Sequence, residues 1–155
     1  MYIVKSILKN IFLNDEVNVV RGDPDRTNIH YSALPSLSKD ESLLKLISIS
    51  EKPIIIFHSS RVSAEVTNRF LLSRMESTDI VYYHAGLTKD EKQSIEEWFF
   101  SSNTGILNAT CAYGMGIDKA NIRTVIHLNA PTSIEAYLLF KKIVIYSILV
   151  KVVAF

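Results

Sequence analysis

Short runs of apolar, β-branched or aromatic residues constrain this chain more than any other feature. The clearest are Ile54–Phe57, Ile80–Tyr83, Ile106–Asn108 and Thr124–Leu128, with a weaker one at Ile29–Ala33. Runs this short that barely alternate with polar residues suit strands covered on both faces. Between them lie segments of helical periodicity, so the expected fold is α/β: a doubly wound, mainly parallel sheet with helices on both faces. Helix starts are marked by capping boxes at Ser38/Glu41, Thr88/Glu91 and Thr132/Glu135, each able to satisfy orphan N–H groups of a first turn. Behind the first box Leu43, Leu44 and Ile47 share a face; behind the second Ile95, Trp98 and Phe99 do. A further helix, about Val62 to Ser73, would align Val62, Val66 and Phe70 on one stripe and pair Glu65 with Arg69. With 155 residues, 48% of them hydrophobic, the chain can bury one self-sufficient core.

The two ends stand apart from this pattern. Residues 1–25 carry a Val17, Val19, Val20 cluster and then the turn-rich Arg21-Gly22-Asp23-Pro24-Asp25, which reads as a linker. From Leu139 onward the alternation of polar and apolar faces is lost. The most apolar stretch, Ile143 to Phe155, carries Lys151 and is shorter than the ~20 residues a membrane helix needs, so no membrane partner is expected. The run from Ile7 to Leu13 is broken by Lys9 and Asn10 and is no secretory signal. A single cysteine, Cys111, excludes an intrachain disulfide and suits a reducing compartment. Histidines and this cysteine show no metal-ligand spacing, so no metal site is expected. The formal charge of +1 neither supports nor excludes nucleic-acid binding, because a local groove can be basic.

In parallel sheets ligands bind beyond the carboxyl ends of the strands. The residues there are His58-Ser59-Ser60-Arg61, His84-Ala85-Gly86-Leu87 and Ala109-Thr110-Cys111-Ala112-Tyr113-Gly114-Met115-Gly116-Ile117-Asp118-Lys119. Hydroxyls, helix-start N–H groups, glycines and an arginine are what a phosphate-rich ligand requires. Taken one at a time they have plainer readings. Ser59 and Ser60 serve as helix N-caps, Arg61 as a solvated side chain and His84 as a satisfied strand-end histidine. Gly86, Gly114 and Gly116 supply backbone freedom or close packing, and Cys111 is structural. Neither a phosphate-binding G-x-x-x-x-G-K-[ST] loop nor G-x-G-x-x-G occurs.

Together the loops resemble one family. Ile54 to Arg61 is similar to helicase motif IV of RecQ-type DNA helicases, and Tyr83-His84-Ala85-Gly86-Leu87 to the short motif after it. Ala109 to Lys119, continuing through Asn121, Ile122, Arg123, Val125, Ile126 and His127, resembles motif V. Ser133-Ile134-Glu135-Ala136-Tyr137 resembles the approach to motif VI, and Asp25-Arg26 with Asn28-Ile29 the entry into the domain. The resemblance covers roughly residues 26–138. It implies the second RecA-like domain of an ATP-dependent enzyme that moves 3′ to 5′ on DNA and acts in unwinding, recombination or repair. By motif, Ser60, Arg61, His84, Gly86 and Thr110 would lie near the DNA backbone. Gly114, Gly116 and Asp118 would lie at the nucleotide cleft or couple its state to the grip on DNA. Implied partners are single-stranded or duplex DNA and a first RecA-like domain, in the cytoplasm or nucleoid, or in a nucleus.

Departures from the pattern set further expectations. The family's phosphate loop and acidic magnesium ligands are absent, and Leu138-Leu139-Phe140-Lys141-Lys142 stands where Q-x-x-G-R-x-G-R is usual. ATP and Mg2+ thus belong to the intact family enzyme; for this chain alone no cofactor, no catalytic residue and no turnover are expected. Residues 1–25 read as a remnant of the first domain and linker, and 139–155 as a frame-shifted or otherwise replaced tail, the plainer alternative being a terminal strand or helix continuing from Tyr137. The second domain of an RNA helicase, or a non-catalytic nucleic-acid-binding or interaction module, remain alternative readings.

Overall fold

The computed structural model describes residues 29–33, 36–76, 78–114, 119, 121–129 and 150–154. In chain order the elements are β1 (Ile29–Ala33), α1 (Lys39–Ile49), β2 (Ile54–Phe57), α2 (Arg61–Arg74), β3 (Ile80–Tyr83), α3 (Lys89–Ser101), β4 (Ile106–Ala109), a 3-10 turn (Cys111–Gly114), β5 (Thr124–His127) and β6 (Val150–Ala154). The strands pair in the order β1-β6-β5-β2-β4-β3, every pairing parallel. Beyond small differences at the ends of β4 and β5, the five strands expected from sequence are observed as β1 to β5; β6 is not among them.

Side-chain alternation along the central strands divides the core in two. On one face Ile54 and Ile56 pack with Ile80, Ile106 and Ile126 under Leu43, Leu46 and Ile47 of α1 and Leu71 of α2. On the other, Ile55 and Phe57 pack with Leu107, Ala109 and Val125 under Phe99 of α3. β2, β4 and β5 are buried throughout, as unalternating apolar runs require. Helices on both faces make this the doubly wound layer expected.

Helix starts follow the caps. Thr88 and Glu91 form the full reciprocal box, with Thr88 N–H 2.7 Å from the Glu91 carboxylate and Glu91 N–H 3.3 Å from Thr88 Oγ1. Ser38 caps α1 through Glu41 N–H. The Thr132/Glu135 box lies outside the described residues.

Two expectations are corrected. In α1 the inward face is Leu43, Leu46 and Ile47, with Leu44 only partly buried. The larger revision concerns α2, whose buried residues are Ala64, Asn68 and Leu71, while Val62 and Val66 are 69% and 50% exposed. Periodicity alone favours the stripe with the bulkier residues. The fold instead turns Ala64 inward, where its small side chain lets the helix approach the sheet, and Asn68 inward, where a buried amide awaits it.

Residues 150–154, which composition sets apart with the tail, form β6 within the sheet. Each of its residues pairs with β1, from Ile29↔Val150 to Ala33↔Ala154, and β5 pairs along its other edge from Thr124↔Lys151 to His127↔Ala154. The chemistry that makes the segment look foreign, dense β-branched content, is also what a two-sided parallel strand needs. Among the described residues, no helix is long and apolar enough to cross a membrane.

Candidate nucleic-acid interface

Parallel pairing brings the C-terminal ends of β2, β3, β4 and β5 to one edge, and backbone bonds stitch them together. His58 N–H donates to Ala109 C=O (2.8 Å), Thr110 N–H to Tyr83 C=O (3.1 Å) and Leu128 N–H to Phe57 C=O (3.2 Å). Ser60, His84 and Thr110, spread along the sequence, therefore share one rim.

Ser60 is the N-cap of α2, its Oγ accepting Ser63 N–H at 3.1 Å. Its hydroxyl is thus committed to the cap, and the helix begins at Arg61 with first-turn N–H groups that have no intrahelical partner. Arg61 is exposed. A methyl built on Gly86 would lie 3.0 Å from Arg61 Nη1 and 3.2 Å from His84 Nδ1. The arginine therefore lies against the β3–α3 loop, in space that the absent Gly86 side chain leaves open.

His84 is buried and has partners on both ring nitrogens. Gly86 N–H donates to Nδ1 (3.2 Å), so Nε2 carries the proton and donates to Glu65 Oε1 (2.9 Å). Helical spacing makes Arg69 the expected i,i+4 partner of Glu65. That pair is a long 4.0 Å apart, and the carboxylate's close partner is His84. Sequence hides this role of Glu65 because its partner lies in another loop. Lys92 Nζ, donating to Ala85 C=O at 3.0 Å, pins the same loop from α3.

Thr110 is buried where β4 enters the 3-10 turn, and Tyr113 N–H returns to Thr110 C=O. Tyr113 anchors the turn, packed edge-on against Tyr83 (4.9 Å) and Phe99 (5.9 Å). Burial raises its phenol pKa. Burial and the Glu96 carboxylate, which accepts the Tyr83 hydroxyl, push Tyr83 up to about 12, so both rings stay neutral. Gly114 ends the turn; Gly116 and Asp118 lie outside the described residues. Lys119 is buried, with its ammonium donating to Phe100 C=O (2.9 Å) and Ser102 C=O (2.8 Å) at the C-terminus of α3. Desolvation lowers its pKa, while the carbonyls and helix dipole favour the cation. The lysine that closes the motif V segment is therefore a helix cap. Asn129, which no sequence motif singles out, joins the rim through Ser59 (3.5 Å).

An exposed guanidinium, first-turn N–H groups and a glycine-lined gap on one edge have the chemistry that suits phosphate oxygens and that reads no base. The Gly86 gap gives a direct test. Gly86→Ala should displace the arginine's flexible end and crowd the His84 ring, cost about 1 kcal/mol of thermal stability and weaken binding of a labelled single-stranded oligonucleotide by the folded protein. Unchanged affinity would mean that Arg61 need not lie there.

The model for the helicase conserved C-terminal domain matches residues 38–139. The chain is similar to the ATP-dependent DNA helicase RecQ of Pasteurella multocida, 33% identical over 86% of this chain and 21% of that protein. It is also 32% identical to the ATP-dependent DNA helicase hus2/rqh1 of Schizosaccharomyces pombe, over 87% of this chain and 10% of that protein. It thus spans about a fifth or less of these relatives' lengths. Among solved structures, the DEAD-box helicase Mss116 bound to ssRNA and UDP-BeF superposes with a TM-score of 0.70 at 18% identity, over 84% of this chain and 28% of that one. That likeness shows the fold, which is RecA-like.

Proposed function

The chain belongs to the helicase conserved C-terminal domain family, in its RecQ-type branch, and from that premise we propose that it grips one DNA strand by its phosphates as the second RecA-like half of a DNA helicase. The observation that carries this reading is the convergence of Arg61, Gly86 and His84 beside Thr110 on one edge of the sheet. Arg61 and the free first-turn N–H groups of α2 supply positive potential, and Ser60 shapes that turn. Thr110 lines the neighbouring loop, while His84 and Gly86 hold the gap in which the guanidinium rests. Such contacts fix position without selecting sequence, as movement along a strand demands. The DNA-helicase reading is preferred to the RNA-helicase one because the relatives with about a third identity are DNA helicases.

ATP, with Mg2+, would supply the energy for closing two RecA-like halves in an intact enzyme of this family. Gly114, Gly116 and Asp118 are assigned to that cleft. Of these, Gly114 is among the described residues and ends the 3-10 turn.

Fluorescence anisotropy with a labelled single strand at low salt tests the grip. Arg61→Ala with Thr110→Val should lower affinity about tenfold, about 1.4 kcal/mol, and make the plot of log K against log salt shallower by ~0.7 for each phosphate no longer neutralised. Base order in the oligonucleotide should not matter. Unchanged affinity and slope would remove these residues from the interface.

A further inference from the structure

Asn108 is an amide in the middle of an apolar strand and has no exposed surface. Both arms of its side chain are used: Nδ2 donates to Asn68 Oδ1 at 3.1 Å, and Oδ1 lies 3.1 Å from His58 Nε2. Asn68 and His58 are themselves buried, at 5% and 6% exposure. With its amide nitrogen committed to Asn68, Asn108 meets His58 as an acceptor, so His58 carries its proton on Nε2. His58 Nδ1 has no partner among the described residues. One hydrogen-bonded chain thus runs from α2 through β4 to the end of β2.

Its ends lead directly to the rim. His58 precedes Ser59, Ser60 and Arg61; Asn108 lies just before Ala109 and Thr110; Asn68 sits on the helix that carries Arg61 and Glu65. Apolar side chains could fill this space in several arrangements, whereas the two hydrogen bonds that link these buried groups admit very few. We propose that Asn68, Asn108 and His58 are positioning residues, which hold the start of α2 and the β4 loop at the spacing that lets Arg61 and Thr110 face one backbone. The proposal rests on the strand-gripping reading, and none of the three residues is placed to touch DNA.

Substitutions at His58 and Asn108 in the whole chain test it. His58→Gln keeps a donor near the position of Nε2; His58→Leu and Asn108→Val fill the space without one. The apolar variants should move the backbone amide resonances of Ser60, Arg61 and Ser63 and weaken single-strand binding about tenfold. His58→Gln should leave both close to the parent. A purely structural role would shift the denaturation midpoint and leave the rim resonances and the affinity of folded protein in place. That result, or failure of His58→Gln to rescue, overturns the proposal. If the parent binds no DNA, the strand-gripping reading fails while the resonances still decide the positioning. Should single apolar variants not fold, the triple change Asn68→Ala, Asn108→Val and His58→Leu leaves no polar group of the chain unpaired. Displaced rim resonances are expected there too, and rim resonances in place would overturn the proposal.

Discussion

Truncation after Leu149 is expected to destabilise the domain by on the order of 5 kcal/mol, enough to unfold many domains of this size. β6 lies between β1 and β5, and β1 is paired with β6 alone among the described strands. Removing it breaks two ladders, at roughly 1 kcal/mol net for each hydrogen bond broken, and detaches β1. The remaining backbone groups of β5 would be left on an open edge, an invitation to aggregation. Denaturant titration of the truncated and full chains reads this directly. An unchanged midpoint would show that the segment is dispensable and support the reading of residues 139–155 as a tail outside the domain.

Acid should destabilise the fold well before the carboxylates titrate. His127 lies at the end of β5, stacked on Phe57 at 5.3 Å, and burial pushes its pKa down to about 4 from an ordinary 6.5. Burial also lowers His58, against an opposing contribution from Asn108. In both cases the unfolded chain takes up a proton at a pH where the folded chain does not. Stability is therefore complete above about pH 6.5 and falls as the pH drops from there toward 4. His127 alone accounts for about 3 kcal/mol across that window, with His58 adding in the same direction. Denaturation midpoints measured between pH 7.5 and 4.5 (about the window set by these values) should decline, and His127→Gln should flatten the decline. An equally steep decline in that variant would place the acid sensitivity elsewhere.

The parts of the fold legible in the sequence are those governed by local chemistry. β2, β3, β4 and β5 are apolar runs flanked by turn residues, and the Ser38, Ser60 and Thr88 caps announce their helices. Parallel pairing then obliges the strand-end loops to meet, which is why Ser60, His84 and Thr110 can be placed on one rim from sequence alone. What is not legible depends on partners distant in sequence. The inward face of α2 is chosen by Asn108, a residue on another strand. Glu65 looks like a helix-surface carboxylate until His84 is brought beside it. Lys119 looks like a motif cation until the end of α3 arrives beneath it. The one available hint is Asn108 itself, since an amide inside Ile106-Leu107-Asn108-Ala109 must find buried partners or cost the fold heavily. β6 is obscured differently: its composition suits an interior strand and an aggregating tail equally well.

The proposed function requires one edge of the sheet to hold a DNA backbone. Titration of the 155-residue chain with a short single-stranded oligonucleotide, followed through backbone amide resonances, tests it most directly. Shifts should concentrate at residues 58–61, 84–86 and 110–114, saturate together, and fade with added salt in step with affinity. Shifts confined to the opposite edge, or no shifts at these loops when binding is saturated, would contradict it.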